Sequence, residues 1–248
     1  MTASLRVLTW NLALLARSAA APVGWRQDQT EERIREEVVA LRPDLIAYQE
    51  LPGLVPYVDT HDMVRANPAS HSGNLATLLT HRLMSTEPPV RVVPHTAVLT
   101  TVAPPELDGA TPVAATPVTV PPVTVANVHL APGPGNEADR FEQLAAVVAA
   151  SPTERLAVVG DTNTRARELD ALAGELGLQA PELPGPTWDS RRNRFHVDGV
   201  SFVASFTRVL VAGGVSATAF DVRSVPLEVD GHRFHLSDHY ALAATLRW

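Results

Sequence analysis

The chain has 248 residues, of which 45% are hydrophobic, and a formal net charge of −7. It is long enough to bury a sizeable core and too acidic to be held on nucleic acid by broad phosphate neutralisation, although a nuclease with a local basic cleft is not excluded. It contains no cysteine and no lysine, which excludes disulfides, thiolate nucleophiles, Schiff-base chemistry and the P-loop lysine, so any metal site must be built from oxygen and nitrogen.

No apolar run is long enough to span a bilayer. Met1 leads directly into the strand-like segment Leu5 to Trp10 with no charged leader, so a soluble, cytoplasmic chain is expected. Nothing resembles a linker, and residues 1–248 read as a single domain.

Leu5 to Leu12 alternates as a strand and places Asn11 at its carboxyl end. From Thr30 to Leu41, Ile34, Val38, Val39 and Leu41 recur among charged residues with helical spacing, Glu31 and Glu32 lie in the first turn, and Pro43 closes the helix. Asp44 to Glu50 is a second buried strand with polar groups at its end, and a helix between two such strands implies α/β layers. Residues 52–72 read as a long loop. Asn74 to Thr80 and Val90 to Val102 read as strands, and the Pro-, Ala- and Thr-rich stretch from Ala103 to Pro122 as edge strands and turns.

Val123 to Leu130 is a further strand, closed by His129. A loop from Ala131 to Asn136 leads to a helix from Glu137 to Ala150, whose period is set by Arg140, Phe141, Leu144, Val147 and Val148. In Leu156 to Asn163 a short apolar run ends in Gly160, Asp161 and Asn163. It reads as a buried strand delivering a carboxylate and an amide to its tip, although either residue alone would equally cap a helix. A helix follows around Ala166 to Leu176, then a loop from Pro184 to Asp189, a strand from Phe195 to Val203, and strands at Ser216 to Ser224 and Ala241 to Arg247. Leu236-Ser237-Asp238-His239 lies between the last two.

One polar strand end is unremarkable, whereas a succession of strands ending in Asn, Glu, His, Asp-x-Asn, Asp and Asp-His is the pattern of a metal-dependent hydrolase. Thr9-Trp10-Asn11-Leu12, Tyr48-Gln49-Glu50, Asn127-Val128-His129-Leu130, Gly160-Asp161-Thr162-Asn163, Val197-Asp198-Gly199-Val200 and Ser237-Asp238-His239 resemble, in order and spacing, the endonuclease/exonuclease/phosphatase superfamily. That superfamily includes deoxyribonuclease I, neutral sphingomyelinases and inositol polyphosphate 5-phosphatases. The resemblance implies an α+β fold: a four-layer sandwich of two mostly antiparallel sheets flanked by helices, with the site at one end of the sheets.

In-line hydrolysis of a phosphoester needs a cation for the developing charge, a group to take a proton from water and help for the leaving oxygen. Glu50, Asp238 and the amide oxygen of Asn11 form a hard oxygen set suited to Mg2+ or Mn2+. The resemblance implies that Glu50 is the principal ligand, supported by Asn11 and Asp238, while Asp161 and Asn163 position the attacking water and the phosphate. It also implies that His239 pairs with Asp198, which would fix its tautomer and raise its basicity, and that His129 faces the other side of the phosphate.

No comparable pattern surrounds His61, His71, His81, His95, His196, His232 or His235. Trp188, Arg191, Arg192 and Arg194 combine an indole face with guanidinium forks suited to a phosphate and a ring, though a solvated charged turn with Trp188 packed inward fits equally well. Arg140 would reach a phosphate or face water. The superfamily's Asp-Tyr-Ile stretch is here Asp198-Gly199-Val200, so an aromatic contact is expected to be missing. The leading expectation is a hydrolase of a small-molecule or lipid-like phosphoester. A DNA or RNA nuclease using the arginine cluster is the alternative, and a non-catalytic binding module is a third reading.

Overall fold

The computed structural model describes residues 2–13, 26–51, 59–68, 74–83, 90–103, 120–193 and 201–248. In chain order the elements are β1 (Ser4–Asn11), α1 (Gln27–Leu41), β2 (Leu45–Leu51), β3 (His61–Pro68), β4 (Asn74–Thr80), β5 (Val90–Val93), β6 (Ala97–Val102), β7 (Val123–His129), α2 (Glu137–Ala150), β8 (Leu156–Asp161), α3 (Ala166–Glu175), β9 (Trp188–Asp189), β10 (Val203–Ala204), β11 (Thr207–Ala212), β12 (Ser216–Arg223), β13 (Pro226–Val229), β14 (His232–His235) and β15 (Ala241–Arg247).

Two mixed sheets dominate. One has six strands in the order β12-β15-β1-β2-β4-β3 and the other five in the order β11-β8-β7-β6-β5. Each contains one parallel pair, β1 with β2 and β7 with β8, and all other pairs are antiparallel.

Strand periodicity explains the layers, because alternate residues face opposite sides of a sheet. Leu5, Val7, Leu45, Ala47, Val125, Ala157, Val159, Val209 and Val211 meet in the core between the two sheets. Trp10, Ile46 and Tyr48 point the other way and pack with Ile34 and Val38 of α1. Ala126, Val128 and Val158 pack with Leu144 and Val147 of α2 and Leu169 and Leu172 of α3. Three apolar layers thus separate helix, sheet, sheet and helices.

The same alternation, continued past Val7, Ala47, Val125 and Val159, puts Thr9, Asn11, Gln49, Asn127, His129 and Asp161 at one end of the inter-sheet space. Gln49 and Asn127 fasten this end together. Gln49 Nε2 donates to Asn127 Oδ1 at 2.8 Å, and Asn127 Nδ2 reaches the carbonyls of Tyr48 and Ala76. These buried amide bonds fix the register of one sheet on the other, although Gln49 Oε1 is buried without a partner among the described residues.

Several elements differ from the sequence reading. His61 to Pro68, expected within a loop, is an edge strand paired with β4; an edge needs neither unbroken apolarity nor the absence of proline. The expected strand Val90 to Val102 is a hairpin, β5 and β6, which turns at Pro94 and His95, the latter at φ 56°. Thr207 to Ala212, not expected to be a strand, pairs along the whole of β8. The β13–β14 hairpin turns at Asp230-Gly231, both at positive φ, which is a strong hairpin signal that the reading passed over. The Pro-rich stretch at 104–119 and the start of the expected strand at 195–203 lie outside the described residues. No helix among the described residues is long and apolar enough to cross a membrane.

Candidate active site

β1 and β2 run parallel with Asn11 beside Gln49, and β7 and β8 run parallel with His129 beside Asp161. Four carboxyl strand ends therefore open at the same end of the sandwich. Gly160 permits the second pairing. A Cβ there would lie 2.1 Å from the Val128 carbonyl oxygen, and its φ of 141° disfavours any side chain.

The backbone is also strained where the polar groups emerge. Glu50 sits at φ 57° in the register break of β2, and Asn163 at φ 52°. Bulges and left-handed residues of this kind cost about 1–3 kcal/mol each and re-aim side chains.

Asn11 is the hub. Its Nδ2 donates to Glu50 Oε1 at 2.9 Å and to Asp161 Oδ2 at 2.8 Å, while its Oδ1 accepts the Ala13 N–H at 2.9 Å. The amide oxygen expected among the metal ligands is thus turned to the backbone, and the amide holds the two carboxylates together instead. Asp161 is 1% exposed and also accepts the Asn163 N–H on Oδ1 at 3.0 Å. The Asn163 side chain donates to the Leu130 carbonyl.

Two imidazoles flank this pair. His129 Nε2 lies 3.6 Å from Asp161 Oδ2 and 3.7 Å from Glu50 Oε1, and His239 Nε2 lies 3.5 Å from Asp161 Oδ2. Nδ1 of His129 is buried with no hydrogen-bond partner among the described residues. Burial pushes the Glu50 carboxyl up, His129 and the Asn11 hydrogen bond pull it back down, and the nearby Asp238 pushes it up again. A half-buried carboxylate so placed calls for a cation.

Among the described His, Asp and Glu side chains, Glu50, His129 and Asp161 converge closely enough to hold one, with one ligand atom from each within 4.8 Å of the others. Glu50 is common to this group and to the expected Asn11–Glu50–Asp238 set, and Asn11 bonds both of the group's carboxylates. Asp238 contributes its charge to Glu50, accepts from Ser237 Oγ at 3.2 Å, and is held through its carbonyl by Asn193 Nδ2 at 2.9 Å.

The loop carrying Asp238 and His239 is tied to β1. Ser237 Oγ donates to the Asn11 carbonyl at 2.6 Å and accepts the His239 N–H at 3.1 Å, and Trp10 Nε1 donates to the His239 carbonyl at 3.1 Å. The described partner of His239 Nδ1 is Thr207 Oγ1 at 3.1 Å. Asp198, the expected partner, lies outside the described residues, as does Arg194.

Trp188 is half-buried, edge-on to His239 at 4.9 Å and stacked on Phe202 at 6.0 Å. An aromatic wall is therefore present, built from β9 and the segment before β10 rather than from residues 199–200. The exposed Arg191 and Arg192 lean on Asp189 at 3.6 and 3.8 Å.

Arg140 neither reaches the site nor faces water. It is fully buried, forked onto Glu168 of α3, and donates Nη1 to the Ala131 and Gly133 carbonyls at 2.8 Å. Its work is to clamp the loop after His129 between two helices. The reading also missed Gln49, Asn127, Ser237 and Thr207 as supports. Gln49 and Asn127 fall on the inward period of strands already recognised, so periodicity alone would have found them.

Solved structures with this fold cover nearly the whole chain at low identity. TDP2 from D. rerio complexed with single strand DNA product has a TM-score of 0.72 and 17% identity, covering 98% of each chain. An endonuclease/exonuclease/phosphatase family protein from Bacteroides thetaiotaomicron has a TM-score of 0.66 and 14% identity, covering 100% of this chain and 96% of the other. The human Nocturnin catalytic domain with bound sulfate anion has a TM-score of 0.57 and 17% identity, covering 98% and 94%. The chain thus shares the deoxyribonuclease I-like fold of these structures. No family sequence model and no curated protein matches it.

Proposed function

We propose that the chain is a divalent-cation-dependent hydrolase of phosphoesters, acting on a small-molecule or lipid-like substrate. The observation that carries this reading is the carboxylate pair of half-buried Glu50 and buried Asp161, bridged by Asn11 and flanked by the ring nitrogens of His129 and His239. Two acidic groups and an imidazole converging in one spot fit a divalent ion, with Glu50 and Asp161 holding it and His129 Nε2 within reach. Oxygen donors favour Mg2+ or Mn2+, and participation of the imidazole would favour Mn2+. When bound, the ion supplies neutralisation of the charge developing on the phosphoryl group.

The chain's own groups do the rest. On this reading Asp161, fixed by the Asn163 N–H, orients the attacking water and accepts its proton. The two imidazoles present nitrogens from either side for the phosphoryl oxygens. Water oxygen bonds to phosphorus as the P–O bond to the leaving group breaks.

The nuclease reading is favoured by one feature, the Trp188–Phe202 stack beside His239, which offers a face to a base. The TDP2 neighbour holds a single strand DNA product, and the acidic net charge of −7 weighs against broad nucleic-acid contact here.

Assays with bis-p-nitrophenyl phosphate, phosphomonoesters, lysophospholipid vesicles, plasmid DNA and single-stranded RNA, each with Mg2+, Mn2+ or chelator, test the proposal. Turnover of a small or lipid phosphoester that chelator abolishes and Glu50→Ala removes is the expected result. Chelator-insensitive turnover, or equal turnover by Glu50→Ala, overturns the cation mechanism. Plasmid nicking with steep salt dependence transfers the assignment to a nuclease.

A further inference from the structure

A cavity of about 300 Å³ opens between α3, the segment 180–185 and the start of β11. Side-chain alternation separates it from the site described above. Thr207 turns toward the space between the sheets, where its hydroxyl meets His239, so Arg208 faces the other side of its sheet, toward α3. Leu169, Ala180 and Leu183 supply apolar lining, and the charged groups at the cavity are Arg208, Asp170 and Glu182.

The walls are fixed. Gln179 exchanges backbone hydrogen bonds with Val211 at 2.8 and 2.9 Å, and Thr187 Oγ1 bonds both the N–H and the carbonyl of Thr207, so the segment is fastened to β11 at both ends. Leu183 packs onto the core between the sheets, and Leu169 and Ala180 onto the layer beneath α2 and α3. A cavity held in this way is formed before a ligand arrives.

Arg208 is the group that calls for one. It is half-buried, and among the described residues its guanidinium makes one hydrogen bond, from Nε to the Ser205 carbonyl at 2.6 Å. Burial lowers its pKa, and the charge of Asp170 raises it without an ion pair between the two. A planar fork with both Nη groups open matches a carboxylate or a phosphate. The neighbouring charges decide between them. One positive and two negative side chains line the cavity, which repels a phosphate dianion and favours a ligand that brings a positive charge of its own.

We propose that this cavity binds a small zwitterion of the amino-acid type, with its carboxylate on the Arg208 fork, its ammonium toward Asp170 and Glu182, and an apolar side chain against Leu169 and Leu183. The site is separate from the carboxylates at the strand ends and does not depend on the phosphoester reading.

Isothermal titration calorimetry of the full chain in chelator, with the common L-amino acids one at a time, tests this. An apolar amino acid such as leucine or phenylalanine should bind with a millimolar or tighter Kd. Its N-acetyl form and its methyl ester, which each remove one charge, should bind about tenfold more weakly or worse, the size of one lost charged hydrogen bond. Arg208→Gln should weaken binding by a similar factor and Asp170→Asn about threefold, while Glu50→Ala binds as the wild type does.

No binding by any amino acid overturns the proposal. Equal binding of the N-acetyl form or of inorganic phosphate also overturns it, because the cavity would then be a plain anion site. Binding that survives Arg208→Gln, or that Glu50→Ala abolishes, places the ligand elsewhere and has the same effect. The acetyl and ester comparisons use the wild-type chain, so they decide the matter even where Arg208→Gln does not fold.

Discussion

Replacing Asn11 with leucine removes the amide and keeps its approximate volume, so it asks whether this side chain holds the two carboxylates together. Two hydrogen bonds to carboxylate oxygens, at 2.9 and 2.8 Å, are lost. Each is worth roughly 1.5–3 kcal/mol when the acceptor is charged. Glu50 retains 19% side-chain exposure and recovers some solvation, so about 3 kcal/mol is the reasonable total.

For a chain of this size that corresponds to a fall in Tm of about 6–12 °C in chelator at pH 8. The sign of the pH dependence follows from linkage: the Asn11 bond lowers the Glu50 carboxyl in the folded state. Because burial keeps Glu50 above its ordinary value in both proteins, and higher still without the Asn11 bond, this contribution is fully present above the variant's folded value and lost as pH falls through the wild type's. The gap between Asn11→Leu and wild type should narrow markedly by pH 4, as read by differential scanning calorimetry. A fall under about 2 °C at pH 8, or a gap that does not change with pH, would refute the bridging role.

Glu50→Gln tests the opposite balance at the neighbouring group. Burial is the largest influence on Glu50 and raises it above 4.5, so ionising it in the cation-free folded chain costs stability as pH rises through the raised value. In chelator the variant should match wild type near pH 4 and melt higher at pH 8, while losing the Tm increase that divalent ions give wild type; a lower Tm at every pH counts against this. Arg140→Met strands Glu168 without its buried partner and should cost about 3–5 kcal/mol in urea unfolding, with KM for an anionic substrate unchanged, whereas a phosphate-binding arginine would raise KM. Gly160→Ala forces a Cβ to within 2.1 Å of the Val128 carbonyl and should destabilise by more than about 4 kcal/mol; a soluble variant of near wild-type Tm would show that β7 and β8 can separate without loss.

The layered fold was legible because β1, β2, β7 and β8 are short apolar runs that end in polar residues and α1 and α2 carry a helical period, and such patterns survive tertiary packing. The strands passed over, β3 and β11, have weaker local signals. β3 is an edge strand with Asp62 and Met63 exposed, and β11 follows closely on the strand expected to end at Val203. Their pairing with β4 and β8 is decided by the sheets already formed. The residue types of the site were equally legible, since Asn11, Glu50, His129, Asp161 and His239 each close a strand or sit in a short polar motif. Their roles were not.

Whether Asn11 offers oxygen or NH2 depends on Ala13 N–H claiming the oxygen, and that depends on how the chain turns after β1. Arg140 lies one turn into a helix in the sequence, a position open to phosphate or solvent. Only the approach of α3 supplies Glu168, and only the fold of the loop after His129 supplies two carbonyls. The partner of His239 is likewise a tertiary fact. Asp198 and Thr207 are both plausible by distance along the chain, and the antiparallel register that sets Thr207 opposite Asp161 brings a hydroxyl to Nδ1. That contact is set by a strand pairing that local sequence pattern does not encode.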